Sequence, residues 1–121
     1  PPLIGNQMEK RDYRPGQFIF KVGEASDVML LLLEGEVGIF FPGNETNDEP
    51  NFLITGNEIF GEMGVIEDEL RSASARAMTA TSVVAVTKRE FEAKVDAADP
   101  FVRGILRILS TRIREMNKAN R

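Results

Sequence analysis

The sequence predicts a mainly β domain, a small barrel or jelly roll, followed by helices at its C-terminal end. Three observations carry that prediction. Short apolar or alternating runs, separated by Gly, Pro and Asn turns, recur through the first two-thirds of the chain. Two helix-start signals then follow, at Thr87 and at Asp99. Finally, 121 residues are enough for one compact domain and too few for two ordinary ones, so residues 1–121 are read as a single domain.

Pro15-Gly16 is a turn pair that introduces Phe18 to Lys21, a β-prone run. Val28 to Leu33 is continuously apolar, as a buried strand would be, and stops at Glu34-Gly35. Val37, Ile39 and Phe41 then alternate with Glu36, Gly38 and Phe40 at the strand period of two. Pro42 to Pro50 has almost no apolar content and is expected to be a mobile hairpin loop. Phe52 to Thr55 returns as a strand, and Gly56-Asn57 is a turn in which both residues tolerate positive φ. Ala73 to Met78 and Ser82 to Thr87 complete a β part that spans about residues 12–87.

Helices are expected over about residues 88–119. Thr87-Lys88-Arg89-Glu90 fits a capping box that opens a helix running to about Val95. Asp99-Pro100 is an N-cap followed by proline at the first helical position. From there Phe101, Ile105, Ile108, Leu109, Ile113 and Met116 recur at helical spacing, a stripe expected to pack in the core. Arg103, Arg107, Arg114 and Lys118 share another face.

Composition removes several functions. The chain has no Cys and no His, which eliminates thiolate metal sites, Ser-His-Asp and Cys-His nucleophile systems, and the imidazole ligands of most transition-metal sites. No catalytic residues, metal or cofactor are therefore expected. Residues 1–100 carry 9 basic and 18 acidic side chains, against 6 and 1 in residues 101–121. An acidic body argues against nucleic-acid binding by this domain, and the basic end is suited to meeting an acidic partner or lying across the acidic body. The basic face of the last helix is more often simply solvated; partner docking or homo-oligomerisation through that helix is the minority expectation. No apolar run approaches the roughly 20 residues that span a bilayer, so no membrane contact by this segment is expected. The first residue is Pro1 rather than Met, and the chain is read as a piece of a longer protein. A cytoplasmic location is expected, either free or as the cytoplasmic domain of a membrane protein.

The chemistry concentrates in residues 60–72. No Lys or Arg lies between Lys21 and Arg71, whereas twelve carboxylates do. Arg71 emerges from that acidic stretch beside a hydroxyl, Ser72, just after Phe60-Gly61-Glu62-Met63-Gly64. Gly61 and Gly64 permit tight turns and close ligand approach. One helical turn over Glu62 to Ile66 would aim unpaired N–H groups at an anion, and the Arg71 fork can bond two phosphate oxygens at once. Glu62 would accept from a hydroxyl, so the ligand carries both a phosphate and a hydroxyl donor, as a ribose phosphate does. Taken alone, Arg71 would more often be an ion-pair partner of Glu67, Asp68 or Glu69.

Phe60-Gly61-Glu62-Met63-Gly64-Val65-Ile66, a short acidic spacer and Arg71-Ser72-Ala73-Ser74-Ala75 resemble the phosphate-binding cassette of cyclic nucleotide-binding domains. Tyr13 to Phe20, Gly23-Glu24 and Leu32 to Val37 are similar to that family's strands, so the resemblance covers about residues 12–116. It implies a β-jelly-roll barrel with a phosphate-binding cassette and a terminal lid helix. It also implies site roles. Glu62 would take the ribose 2′-hydroxyl beside Gly61. Arg71 and Ser72 would take the cyclic phosphate with backbone N–H groups at Met63 and Gly64. The base would lie against Ile39 and Phe52 or Leu53, under a helix bearing Met116 or Asn117. Asn57 stands where the family usually has glycine, and Leu70 where it often has proline.

The function implied is that of a sensor for a cyclic purine nucleotide, cAMP ahead of cGMP, relaying binding through the C-terminal helix to an output module. The alternative is a degenerate barrel that binds no nucleotide and serves in assembly. In the sensor reading, Arg71→Ala is the single change most damaging to binding and leaves the fold intact.

Overall fold

The computed structural model describes residues 3–4 and 8–119. The chain separates into a β unit ending at Lys88 and a helical unit beginning at Arg89. The β unit contains β1 (Leu3–Ile4), β2 (Met8–Tyr13), β3 (Phe18–Phe20), β4 (Val28–Glu34), β5 (Glu36–Phe40), β6 (Phe52–Thr55), β7 (Ile59–Phe60), α1 (Glu62–Ile66), β8 (Ser74–Ala77) and β9 (Thr81–Thr87). The strands form two antiparallel sheets, ordered β1-β2-β9-β4-β7 and β3-β8-β5-β6. Their facing sides meet in a core of Leu30, Leu32, Val37, Phe60, Ala75, Val83 and Ala85, drawn from both sheets. This is the jelly-roll architecture expected of many short strands.

Three strands escape the sequence pattern, β1, β2 and β7, and register explains β2. In β2, Glu9 and Arg11 pair with Ala85 and Val83. Directly opposed residues share a face, so two charged side chains occupy the core-side face at the sheet's margin. They satisfy each other there, Arg11 Nη2 lying 3.2 Å from Glu9 Oε2. That hydrogen bond holds the Glu9 carboxyl below its usual range and raises the Arg11 pKa. A strand whose inward positions are an ion pair carries no apolar alternation, and the β unit accordingly begins before residue 12. The other two, β1 and β7, are two residues long each and show no period at all.

The loop after β5 departs from expectation. Val37 and Ile39 pair with Ala77 and Ala75 and face the core, but Phe41 lies beyond the strand, 44% exposed, against the Phe52 ring. Phe40, on the opposite face, is the fully buried ring. Its cover is Arg76, whose Cζ sits 4.1 Å from the ring centroid. The same guanidinium donates to the carbonyls of Glu45 (3.2 Å) and Asn47 (2.7 Å). Asn51 Oδ1 accepts from Phe41 N at 2.8 Å and from Asn44 Nδ2 at 2.9 Å. Residues 42–51 are thus tied to the sheet by hydrogen bonds; their side chains are polar because they bond the loop's own backbone. At the next turn the left-handed residue is Gly56, with φ 62°, and Asn57 needs no unusual backbone.

The helical unit comprises α2 (Lys88–Ala97) and α3 (Pro100–Ala119). Asp99 caps α3 as expected, Oδ1 accepting from Phe101 N at 2.8 Å. Arg103 ties the two helices together by donating to Asp96 O at 3.1 Å. Phe101, Ile105 and Ile108, expected in the core, are exposed. Helical spacing identifies an apolar face, but it cannot supply the surface that covers it.

Arg76→Met, which keeps apolar cover over Phe40 but removes both carbonyl bonds, is expected to cost about 1–2 kcal/mol. Urea denaturation measures that loss. Hydrogen exchange should show faster amide exchange confined to residues 42–51.

Candidate functional site

Arg71 organises the candidate site through its backbone first. Its N–H donates to Glu24 O and its carbonyl accepts from Gly23 N, both at 2.8 Å. This two-bond bridge fixes the end of the cassette against the turn between β3 and β4. The side chain then folds inward and is only 5% exposed. Nη1 donates to Gly61 O at 2.6 Å and Nη2 to Val28 O at 2.5 Å. Arg71 Nε is buried without a hydrogen-bond partner among the described residues. The guanidinium lies over the Phe20 ring, Cζ 4.1 Å from its centroid.

No ion pair joins Arg71 to a carboxylate among the described residues, so the expected competitor, a salt bridge to Glu67, Asp68 or Glu69, is not what holds it. Burial pushes the guanidinium pKa down, while the charges of Asp27, Glu24 and Glu62 pull it back up. Arginine starts so far above neutrality that the group remains a cation.

The cassette glycines are set by local geometry. Gly61 caps α1 in the left-handed region, with φ 72°, where a side chain is strained. An added Cβ there would also stand 2.8 Å from Arg71 Nη1. Gly64 is a close approach: its missing Cβ makes room for Ser26, whose Oγ it would overlap. Glu62 and Met63 are half-buried at the start of α1, with backbone N–H groups in the first turn, where no intrahelical acceptor exists. Ser72 is exposed, and the buried hydroxyl is instead Ser74, whose Oγ accepts from Val22 N at 3.0 Å.

Of the expected phosphate and ribose contacts, the structure joins Arg71 directly to Gly61, with Glu62, Met63 and Gly64 following in α1, whereas Ser72 is exposed next to Arg71. The expected base contacts divide. Ile39 packs against the core, and Phe52, its register partner, shares its face although 60% exposed. Leu53 pairs with Gly38 and therefore lies on the opposite face from Ile39, so of the two alternatives Phe52 keeps the expected side. Met116 and Asn117 concern side chains outside the described residues.

A cavity of about 430 Å³ adjoins Arg71, lined also by Arg11, Phe20, Glu24, Asp27 and Leu30. Sequence spacing pointed to none of these five as site residues. Phe20 sits in an apolar run like any core ring, and Arg11 sits in the strand the sequence conceals.

Comparison with known proteins agrees with this geometry. A family model described as cyclic nucleotide-binding domain matches residues 10–97. A cAMP-dependent protein kinase regulatory subunit from Pyricularia oryzae is 30% identical over 100 residues, 83% of this chain and 25% of that protein. A cyclic AMP receptor protein from Thermus thermophilus is 27% identical over 113 residues, 93% of this chain and 52% of that one. The chain thus spans a quarter to a half of these curated relatives. A structure of the EAL enzyme Bd1971 in a half-site-occupied form superposes with TM-score 0.81 and 33% identity, covering 91% of this chain and 98% of that one. The cAMP-bound and cGMP-bound forms of Bd1971 match at TM-scores of 0.66 and 0.67, each with 32% identity and 30% of that chain covered.

Because Arg71 closes carbonyls on two segments, its role is structural as well as electrostatic. Arg71→Ala, expected from sequence to spare the fold, should instead lower stability by about 2–3 kcal/mol by leaving the Gly61 and Val28 carbonyls unpaired. Chemical denaturation without ligand measures it.

Proposed function

The chain belongs to the cyclic nucleotide-binding domain family, and from that premise we propose that it is a sensor for a cyclic purine nucleotide. One observation carries the reading: a buried arginine that contacts no carboxylate among the described residues, tied to Gly61 at the mouth of a cassette beginning with Glu62. A purely structural arginine so deeply buried would ordinarily be neutralised by a contacting acid. Arg71 keeps its charge available. The cyclic phosphate would pair with Arg71 and with backbone N–H groups at Met63 and Gly64, and Ser72 would add its own donors. Glu62 would accept from the ribose 2′-hydroxyl, and Ile39 and Phe52 would support the base.

Both nucleotides suit this donor and acceptor set. The relatives include cGMP-dependent protein kinases as well as a cyclic AMP receptor protein and a cAMP-dependent kinase subunit; cAMP is placed ahead of cGMP as the finer part of this proposal. Binding would be relayed through the C-terminal helical segment to an output module of the parent protein. The chain itself performs no chemistry in this reading. The ligand acts by favouring one conformational state over another, to the extent of its differential affinity for the two.

Titration calorimetry with cAMP and cGMP tests the proposal. Wild type should bind both, cAMP more tightly. Arg71→Gln, which retains a donor but loses the charge, should weaken binding by about two orders of magnitude. Glu62→Gln should weaken it by about tenfold and lose discrimination against a 2′-deoxy analogue. No binding by wild type would favour the degenerate assembly module instead.

A further inference from the structure

The Arg71 guanidinium needs support that a carboxylate does not provide here, and a ring occupies that place. Phe20 lies on β3, paired with Ala75 of β8, and therefore faces the core with that residue. Its ring meets the guanidinium at 4.1 Å and is backed by Phe60, with centroids 6.3 Å apart. Gly61 lies against both groups, since an added Cβ would stand 2.8 Å from Arg71 Nη1 and 3.1 Å from Phe20 Cε2. The ring, the cation and the cassette's first glycine form one stack.

The choice of partner has a consequence for an anion site. A carboxylate in contact with Arg71 would cancel its charge and compete with an incoming phosphate. The face of an aromatic ring attracts a cation through its quadrupole without neutralising it. The carbonyls of Gly61 and Val28 act similarly at the guanidinium edge, as dipoles rather than charges. Burial is thereby made tolerable while the full positive charge is kept.

We propose that Phe20 is a positioning residue for nucleotide binding, holding the Arg71 guanidinium over its ring and partly dehydrated at the cassette without quenching its charge. The proposal rests on the reading of this site as a cyclic nucleotide site. It assigns Phe20 no ligand contact; Phe20 acts through Arg71.

Affinity for cAMP provides the first test. Phe20→Leu should weaken binding by about three- to tenfold, and Phe20→Tyr should stay near wild type. In an Arg71→Gln background the same Phe20→Leu change should alter affinity by less than about twofold, because no cation remains to be held. An equal penalty in both backgrounds would indicate general packing and overturn the proposal, as would no penalty in wild type. Phe20→Met, unbranched and more adaptable in shape, serves the same comparison if Phe20→Leu does not fold. The second test needs no nucleotide. The Arg71 Nε–H resonance of the ligand-free protein should carry a ring-current shift that Phe20→Leu removes and Phe20→Tyr retains; its absence in wild type overturns the proposal. Wild type that bound neither nucleotide yet kept that shift would overturn the ligand reading and leave the hold of Phe20 on Arg71 standing.

Discussion

One residue, Arg71, joins the parts on which the site depends. Its backbone is bridged to Gly23 and Glu24, and its side chain closes carbonyls on Gly61 and Val28. The turn before β4, the first residue of β4 and the residue capping α1 are thereby held to a single residue, the first through its backbone and the other two through its side chain. Burying a guanidinium is costly unless its polar edges are met, and the geometry around Arg71 meets most of them with backbone. Only Nε is left without a partner among the described residues. That constraint makes the cassette a structural feature of the β unit as well as a ligand site.

The same arrangement resolves a conflict between stability and binding. A contacting acid would stabilise the buried cation best and bind an anion worst. Asp27, Glu24 and Glu62 act on Arg71 through their fields without contacting it, while an aromatic face and two carbonyls take the contact positions. Arg76 shows the same design in a structural role. It lies over Phe40 and donates to two loop carbonyls, and what it fixes there is the loop over the outer face of the sheet. The chain therefore uses ring-supported arginines twice, once to hold a loop and once beside a cassette.

Most strands were legible because their inward positions are apolar and their turns are marked by Gly, Pro and Asn. β2 was not, because its inward Glu9 and Arg11 satisfy each other and erase the period. The loop over residues 42–51 looked mobile for a related reason: its Asn side chains are polar in sequence but bond the loop's own backbone in space. The cassette was legible as a local string, from Gly61 to Ser72. The cavity residues Arg11, Phe20 and Asp27 were not, since they come from separate strands and turns with no fixed spacing to the cassette.

By itself the sequence determined the fold class, the cassette and the absence of thiol and imidazole chemistry, because each depends on residue type and short-range order. Only the tertiary structure decided what holds Arg71. Sequence neighbours offered Glu67, Asp68 and Glu69, but the fold turned the side chain toward Phe20, Val28 and Gly61. It also decided that Phe52, rather than Leu53, shares a face with Ile39, through the register of β5 with β6. The second outcome follows from strand pairing, and the first from the backbone bridge that ties Arg71 to Gly23 and Glu24. Register and side-chain direction are set by partners tens of residues away, and local spacing does not encode them.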